Sequence, residues 1–354
     1  MMATVSPSAV AWARANLFRT PLDAVMTAGV AALLLWTLSS VLPWALIDAT
    51  WTGDSRADCQ GDGACWAFVV NRAGQFVYGF YPVEGRWRVD LAMAGLVLGL
   101  AALLVPAVPG KRYSALLMLF VYPAIAFWLL KGGMLGLASV GTERWGGLML
   151  TLVLGVSGIV LSFPLGIALA LGRRSDLPVI RGLSIAFIEL CRGLPLVTVL
   201  FMASVMLPFF LPVGMKLDSL GLAVAGIVLF QGAYLAEVVR GGLQGIPRGQ
   251  YEACQALGFG HWRTTGYVVL PQAIRKVIPG LVNNSIALLK DTTLVMVVGL
   301  FELLNIVSAG ASDPAWLGST AEGYVVVGLV FWTLCFAMSR YSQCLERKLR
   351  TEER

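Results

Sequence analysis

The sequence predicts an all-α integral membrane protein with about eight transmembrane helices. The chain has 354 residues, of which 58% are hydrophobic and only 13% are charged, whereas soluble domains carry about 25% charged residues. Its uncharged stretches are long and continuous, and a helix needs roughly 20 apolar residues to cross the hydrocarbon core. A barrel strand needs only about ten alternating residues, so the spans are expected to be helices.

Seven uncharged stretches of helical length follow one another, and each is expected to cross the membrane. They run over residues 24–47, 91–110, 113–130, 145–172, 193–215, 219–236 and 323–339. An eighth span is expected over residues 277–312, although Lys290, Asp291 and Glu302 interrupt its apolar sequence. The first stretch exceeds the roughly 7–15 apolar residues of a secretory signal, so we expect it to be a retained anchor.

The distribution of basic residues predicts the orientation of these spans. Cytoplasmic loops carry an excess of Lys and Arg. With eight spans, seventeen Lys and Arg residues fall on the side that holds both termini, and seven fall on the other. Both termini are therefore expected in the cytoplasm. The net charge of +6 follows from this bias, and no basic stripe with aromatics indicates a nucleic-acid partner.

The spans and loops divide the chain into three parts. Residues 1–144 form an N-terminal region with three spans and an extracytoplasmic loop at residues 48–90. Residues 145–342 form a core with a cytoplasmic loop at residues 245–275, and residues 343–354 form a cytoplasmic tail.

Two cysteines in the extracytoplasmic loop are candidates for a disulfide. Cys59 and Cys65 lie in the sequence CQGDGAC, and an oxidising compartment would favour a bridge. Two free thiols are the alternative. The six cysteines and the single histidine lack the spacing of a metal site, so no metal ligand is expected.

The cytoplasmic loop predicts two short helices. Good helix formers from residue 250 to residue 257 precede Gly258, which is expected to form a left-handed C-cap. Tyr251, Cys254 and Leu257 recur every three residues and are expected to share one face. This pattern indicates a narrow helix that enters a groove, whereas a helix lying on lipid headgroups is the alternative. The second helix, residues 261–269, is expected to break or kink at Pro271.

The sequence YEACQALGFGHWRTTGYVVLP resembles the EAA loop of ATP-binding-cassette (ABC) importer permeases. Glu252, Ala253 and Cys254 stand in the E-A-A positions, and Val268 and Pro271 match the ends of the closing I-x-L-P. Cys254 and Val268 depart from the pattern by small or apolar exchanges. The resemblance implies a coupling helix seated in a cleft of an ATPase. The coupling residues that it implies are Tyr251, Glu252, Ala253, Cys254, Leu257, Gly258, Leu270 and Pro271.

Further segments narrow the resemblance to the polar amino-acid (histidine/glutamine-type) branch of that family. AYLAEVVRGGLQGIP, LPQAIRKVIPGLVN and LLKDTTL are similar to this branch, and GACWAF and QFVYGFYP resemble the M-type permease of a general L-amino-acid transporter. The resemblance implies a type I ABC importer permease core in the bacterial inner membrane. Its implied partners, besides membrane lipid, are a second permease of different sequence, two ATPase subunits and a periplasmic amino-acid-binding protein.

No phosphate-cradling GxxxxGK motif followed by Ser or Thr occurs in the sequence. The chain is therefore not expected to be an enzyme or to hold a cofactor. ATP and Mg²⁺ are expected to bind to the partner ATPase, which would drive alternating access in this chain.

Five ionisable residues near membrane depth are candidates for the substrate path, because such residues usually face a cavity or a partner. They are Glu189, Arg192, Glu237, Lys290 and Asp291. Glu189 and Arg192 are three residues apart and can pair on one helix face, beside a break expected after Gly193. A purely structural ion pair is the alternative.

Lys290 and Asp291 offer both signs of charge to an amino-acid zwitterion within the seventh span. Thr292 and Thr293 could satisfy backbone groups freed by local unwinding there. Glu237 has two interpretations, a contact for the substrate amine or a salt bridge with Arg240 at the membrane edge. Glu302 and Asn305 are expected to share one side of the seventh helix.

The sequence thus predicts a permease subunit that moves L-amino acids inward by ATP-driven alternating access. A secondary transporter driven by an ion gradient is the first alternative, although it would not require a groove-sized cytoplasmic helix. The second alternative is a membrane scaffold or sensor, in which Lys290 and Asp291 only pair with each other.

Overall fold

The structure is a computed structural model that describes residues 9–59, 61–105, 107–134, 136–210, 212 and 217–352. Over these residues the regular structure is helical, and β-pairing is limited to isolated bridges. The end of the fifth span predicted at residue 215, and the last two residues of the predicted tail, lie outside the described residues.

The α-helices of the described chain vary from three to 33 residues. They are α1 (Ala9–Asn16), α2 (Pro21–Leu42), α3 (Trp66–Tyr78), α4 (Arg86–Leu104), α5 (Lys111–Leu116), α6 (Tyr122–Lys131), α7 (Gly147–Arg173), α8 (Pro178–Gly193), α9 (Leu196–Phe201), α10 (Ser219–Gln244), α11 (Arg248–Ala256), α12 (His261–Arg263), α13 (Leu270–Asp291), α14 (Asn305–Ala311) and α15 (Thr320–Glu352). Short π-helical segments occur at Pro43–Ile47, Leu117–Val121, Met202–Met206 and Thr264–Val269.

The predicted number of membrane spans is confirmed. Seven helical segments of the described chain are long and apolar enough to cross a membrane, and one strongly bent pair brings the number to eight. The seven are Pro21–Ile47, Val83–Leu104, Tyr113–Lys131, Gly147–Arg173, Ser219–Gln244, His261–Val298 and Thr320–Arg347. The bent pair is Pro178–Gly193 followed by Leu196–Met206, at an angle of 106°.

The fifth span differs from its predicted bounds because its helical sequence begins at Pro178 rather than at residue 193. The predicted break after Gly193 is confirmed. Leu194 has an extended backbone, with φ −107° and ψ 144°, because a residue before proline avoids the helical conformation. Pro195 then begins the following helical segment as its N-cap.

The seventh span also differs from prediction, since it runs from His261 to Val298 instead of from residue 277 to residue 312. The expected break at Pro271 is wrong, because the chain stays helical from His261 through Val298. Pro271 lies in the first turn of α13, directly after the π-helical segment Thr264–Val269. A kink at this proline stays a prediction. Gly299, with φ +78°, ends the span. Glu302 and Asn305 therefore do not lie on the seventh helix.

The described residues form two compact units. The smaller falls within Met1–Asn71 and Pro314–Glu322, and the larger falls within Arg72–Asp313 and Gly323–Arg354. The boundary that the sequence predicts at residue 144, between the N-terminal region and the core, divides the chain differently from these two units. It stays a prediction.

The smaller unit contains a disulfide between Cys59 and Cys65, with Cα atoms 5.6 Å apart. The loop that it closes is attached to the chain on both sides. Cys65 pairs with Thr50 in an isolated bridge, and its N–H donates to the carboxylate of Glu322 over 2.9 Å. Glu322 is 4% exposed, so this contact is sheltered from solvent.

The larger unit is organised around α7 and α10, which pack against each other along their length. Close approach leaves little room for a Cβ atom at several glycines of this pair, including Gly166 and Gly232. A Cβ atom at Gly166 would lie 2.7 Å from the Cβ of Leu235, and one at Gly232 would lie 2.7 Å from Cδ2 of Leu165. Small residues at such interfaces let helix backbones approach closely.

Among the described residues, two hydrophobic clusters of the larger unit lie at opposite ends of α7. The first includes Leu150 and Leu154 near the beginning of the helix. The second includes Ala170 near its end, together with Leu243 of α10 and Val269 of the π-helical segment. This second cluster anchors both ends of the segment that carries α11.

Candidate coupling helix and ionic cluster

The helix α11 ends at the predicted left-handed cap, which is confirmed. Gly258 has φ +74°, its N–H donates to the carbonyl oxygen of Gln255 over 2.9 Å, and the N–H of Phe259 donates to that of Cys254 over 2.9 Å. This is the Schellman arrangement, which satisfies the last carbonyl groups of a helix. The chain therefore turns sharply between α11 and α12.

The expected common face of Tyr251, Cys254 and Leu257 is wrong. Cys254 is only 4% exposed, whereas Leu257 is 75% exposed. Tyr251 packs against the chain's own cluster around Leu243 and Val269. The side of α11 that carries Tyr251 and Cys254 packs against the rest of the chain. Leu257 lies just after the last helical residue and points away from it.

One hydrogen bond joins α11 directly to α13, and a second joins the end of α10 to α13. The side-chain amide of Gln272 on α13 donates to Gln250 of α11 over 3.2 Å. The Lys276 ammonium group, also on α13, donates to the carbonyl oxygen of Gly245 at the end of α10 over 2.8 Å. The first bond attaches α11 to the beginning of α13, and the second holds the chain that leads into α11.

The outward side of α11 is formed by exposed residues with small or polar side chains. They are Glu252, Ala253, Gln255 and Ala256. Leu257 borders this surface, and Trp262 of α12 is 77% exposed nearby in sequence. Trp262 is not among the predicted coupling residues, although a large apolar residue beside His261 in the predicted cytoplasmic loop is a signal for a contact surface. Of the remaining predicted coupling residues, Leu270 is half-buried and Pro271 is exposed.

Five charged residues form an ionic cluster where α7, α8 and α10 meet. Arg173 lies 2.8 Å from Glu189 and 2.9 Å from Glu237. Glu237 also contacts Arg240 over 2.8 Å and Arg192 over 3.8 Å. The predicted pair of Glu189 with Arg192 is wrong, because Glu189 instead contacts Arg173 at the end of α7 and Arg192 contacts Glu237 of α10.

Glu237 is the centre of this ionic cluster. Its side chain is 16% exposed and contacts three guanidinium groups, whereas the Glu189 side chain is 55% exposed and contacts one. The Arg192 guanidinium group also lies 5.6 Å from the ring centre of Tyr234. Of the two interpretations of Glu237, the salt bridge with Arg240 is therefore the one that the structure contains.

An open groove lies beside the ionic cluster. Four arginines line it, together with Ile185 and Gln244. The arginines are Arg173, Arg174, Arg181 and Arg240. This end of the spans is therefore strongly basic.

Lys290 and Asp291 lie apart from the ionic cluster. The α-helical part of the seventh span ends at Asp291 and continues as a 3-10 helix over Thr292–Val298. The hydroxyl groups of Thr292 and Thr293 donate to carbonyl oxygens of the preceding turn over 2.7 and 2.8 Å. The predicted local change of helix is confirmed. No hydrogen bond or ion pair joins Lys290 or Asp291 to Glu237 in the described structure.

The buried carboxylate of Glu302, beyond the seventh span, organises the segment that leads to α14. It accepts N–H groups from Leu304 at 3.0 Å and Asn305 at 2.9 Å, and the Asn305 side-chain amide at 2.8 Å. The hydroxyl of Thr151 on α7 lies 3.4 Å away. Burial raises the pKa of Glu302, and these donors act in the opposite direction. Glu302 thus attaches the segment to the beginning of α7.

Comparisons with known proteins bear on the function of these features. Residues 162–351 match the family model described as binding-protein-dependent transport system inner membrane component. The chain is 49% identical over 346 residues to the inner membrane amino-acid ABC transporter permease protein YhdY of Escherichia coli, and the match covers 98% of this chain and 94% of that protein.

A second relative and one solved structure extend this comparison. The glutamate/glutamine/aspartate/asparagine transport system permease protein BztC of Rhodobacter capsulatus is 39% identical over 415 residues, with 98% of this chain and 95% of that protein covered. The crystal structure of an amino acid ABC transporter with histidines aligns with a TM-score of 0.51 and 28% identity, over 57% of this chain and 92% of that chain.

Proposed function

Because the chain belongs to the family of binding-protein-dependent transport system inner membrane components, we propose that it moves L-amino acids inward as a permease subunit of an ABC importer. It is a multi-pass transport subunit of the inner membrane. The two relatives named above are transport permeases for amino acids, which supports the substrate class.

The observation that carries the proposal is the placement of α11. This short helix lies outside the spans and is attached to α13. It exposes a narrow side that includes Glu252, Ala253 and Ala256. A side of small residues allows a partner to approach the helix closely, and the partner that we propose is an ATPase subunit. ATP and Mg²⁺ then bind to that subunit, outside this chain.

Three further partners complete the proposed importer. A second permease subunit, a chain of different sequence, lies beside this one in the membrane. A second ATPase subunit binds to that second permease. A periplasmic binding protein delivers the amino acid from the opposite side. The basic end of the spans, which includes Arg173, Arg174 and Arg181, supports a cytoplasmic location for α11 and for both termini.

Alternating access follows from how α11 is attached. Closure of the ATPase subunits would displace α11, and its contacts with the chain's own helices pass this displacement to α13 and α10 as a rigid-body movement. The ionic cluster lies at the same end of the spans and joins α7, α8 and α10. Opening toward the cytoplasm would therefore have to stretch or exchange these ion pairs.

Lys290 and Asp291 are proposed to contact the substrate. They lie where the seventh span changes from α-helix to 3-10 helix, and transporters place binding sites at such helix interruptions. The Lys290 cation suits the carboxylate of an amino acid, and the Asp291 carboxylate suits its ammonium group. Glu189, Arg192 and Glu237 are assigned to the ionic cluster instead.

The test is uptake of radiolabelled amino acids by proteoliposomes that contain the purified complex and its binding protein. We expect uptake only with ATP supplied on the ATPase side. Uptake driven by a proton or sodium gradient without the ATPase would instead support a secondary transporter. Absence of any substrate movement, with all partners present and ATP hydrolysed, would support a scaffold or sensor.

A further inference from the structure

An apolar crevice lies between α4, α6 and α7, away from the ionic cluster and from α11. Its walls include Leu96 of α4, Phe127 of α6 and Met149 of α7. Phe127 is 46% exposed at the side of the crevice, so the crevice opens between helices rather than being enclosed.

The crevice extends over about half the depth of a membrane. Along α7 its wall runs from Trp145, just before the helix, to Ser157. Ser157 follows Gly147 by ten residues along α7, a rise of about 15 Å. The hydrocarbon core of a bilayer is about 30 Å thick, so the crevice matches the thickness of one leaflet.

The end of the crevice near the beginning of α7 holds an unpaired hydrogen-bond donor. The Trp145 side chain is 1% exposed, and its indole nitrogen has no hydrogen-bond partner within the described residues. An indole N–H can only donate, and a buried donor without an acceptor is destabilising. The deep end differs, because the Tyr122 hydroxyl there donates to the carbonyl oxygen of Ala92 over 2.8 Å.

A cation lies at the same end as the unpaired donor. Lys131 is the last residue of α6 and is exposed. Its ammonium group lies 5.5 Å from the ring centre of Phe127, and the rings of Phe127 and Trp145 are in edge-to-face contact at 5.9 Å. The crevice therefore combines an apolar channel one leaflet deep with a donor and a positive charge at its membrane surface.

We propose that this crevice binds an acyl chain of an anionic phospholipid from the leaflet at the Trp145 end. The chain would fill the apolar walls of α4, α6 and α7. The ester carbonyl, where acyl chain and headgroup meet, would accept the Trp145 N–H, and the phosphate group would lie near Lys131. In the topology proposed above this is the periplasmic leaflet, and the site does not depend on which solute is transported.

The experiment is native mass spectrometry of the complete detergent-purified complex with added dioleoyl phosphatidylglycerol or dioleoyl phosphatidylethanolamine. Ala126→Trp places a large ring inside the crevice, and Ala124→Trp, on the exposed side of the same helix, is the matched control. We expect Ala126→Trp to lose one bound phosphatidylglycerol and Ala124→Trp to retain it. Lys131→Gln should remove the preference for phosphatidylglycerol over phosphatidylethanolamine.

Trp145→Phe keeps an aromatic ring and removes only the donor, so it tests the site even if Ala126→Trp prevents assembly. One neutral hydrogen bond corresponds to about a fivefold change in affinity, and we expect phosphatidylglycerol binding to weaken by that factor. Unchanged lipid binding in both Ala126→Trp and Trp145→Phe would overturn the proposal. So would efficient cross-linking of a Phe127→Cys variant to the partner permease in membranes, because a protein surface would then occupy the crevice.

Discussion

The guanidinium group of Arg173 lies 2.9 Å from the carboxylate of Glu237 and joins the end of α7 to α10. Arg240 and Arg192 contact the same carboxylate, so a single acidic side chain holds three cations. The cluster lies at the end of the spans that leads into α11. Any movement that separates α7 from α10 at this end must first break the Arg173–Glu237 pair.

Glu237→Gln should destabilise the complex more than Glu189→Gln. Removing the central charge leaves three arginines without their shared partner, and hydrogen bonds to charged groups contribute about 1.5–3 kcal/mol. Glu189 is more than half exposed and has one partner, so its replacement should cost only about 0–1 kcal/mol. Thermal unfolding of the two purified variants measures the difference.

A double-mutant cycle with Arg173→Gln supplies the control for that comparison. Arg173 and Glu237 are in contact, so their effects should be non-additive by about 0.5–3 kcal/mol. Equal destabilisation by Glu237→Gln and Glu189→Gln, with additive effects in the cycle, would contradict a central role for Glu237.

Ala253→Trp should prevent the ATPase subunit from binding while leaving the permease folded. Ala253 is exposed on the outward side of α11, where surface substitutions usually change stability by less than about 0.5 kcal/mol. A large ring there would keep a partner from approaching the narrow helix. Co-purification of the ATPase with the affinity-tagged permease measures binding.

Cys254 provides the matched comparison on the opposite side of α11. Cys254→Ala should preserve ATPase binding, because Cys254 is buried against the chain itself. In the wild-type complex a maleimide should modify the exposed Cys344 faster than the buried Cys254. Loss of ATPase binding in Cys254→Ala together with normal binding in Ala253→Trp would mean that the docking side is the one predicted from sequence.

Local signals in the sequence were sufficient for several features of this fold. Apolar length gave the number of spans, and Gly258 marked the end of α11 because a left-handed cap depends on a few neighbouring residues. The change of helix type after Asp291 was likewise indicated by adjacent polar residues. Each of these features is determined within one or two helical turns.

Features that depend on distant parts of the chain could not be read in this way. The three-residue spacing on α11 showed that Tyr251 and Cys254 share a side, but not that this side packs inward. Glu189 is close to Arg192 in sequence, yet Arg173 of α7 is its partner. Which side of a helix is buried, and which residue pairs with which, depends on how the helices pack against each other. The spacing of residues along one helix does not give this information.

Gly258→Asn should retain transport, whereas Gly258→Val should reduce it. No atom lies within 4 Å of a Cβ placed at this residue, so any effect comes from its backbone, which has φ +74°. Asn tolerates left-handed conformations, while a β-branched residue is strongly disfavoured there. ATP-dependent uptake by proteoliposomes measures the outcome. Equal uptake by both variants would show that the direction of the turn after α11 is unimportant.

Asp291→Asn should raise the KM for amino-acid uptake by about 10–100-fold, the range that corresponds to loss of about 1.5–3 kcal/mol from a charged hydrogen bond. Uptake of labelled amino acid over a range of concentrations measures it. Glu189→Gln is the control, since Glu189 belongs to the ionic cluster. An unchanged KM in Asp291→Asn would remove Asp291 from the proposed substrate path.

Asp58 should make the turn that precedes the disulfide sensitive to acid. Its carboxylate accepts the N–H groups of Asp54 and Ser55, each over 2.9 Å, and these hydrogen bonds lower the pKa of Asp58 from its ordinary value. A carboxyl group whose pKa is lower in the folded than in the unfolded state stabilises the fold fully at a pH above the pKa of the unfolded state. That stabilisation is lost as the pH falls through the lowered pKa. Hydrogen exchange of the Ser55 amide should therefore accelerate, relative to its intrinsic rate, as the pH falls below the ordinary pKa of an aspartate. Asp58→Asn should remove this acceleration, whereas Asp62→Asn, at an exposed residue of the loop that the disulfide closes, should preserve it. If wild type and Asp58→Asn showed the same pH profile, the Asp58 carboxylate would not be what orders this turn.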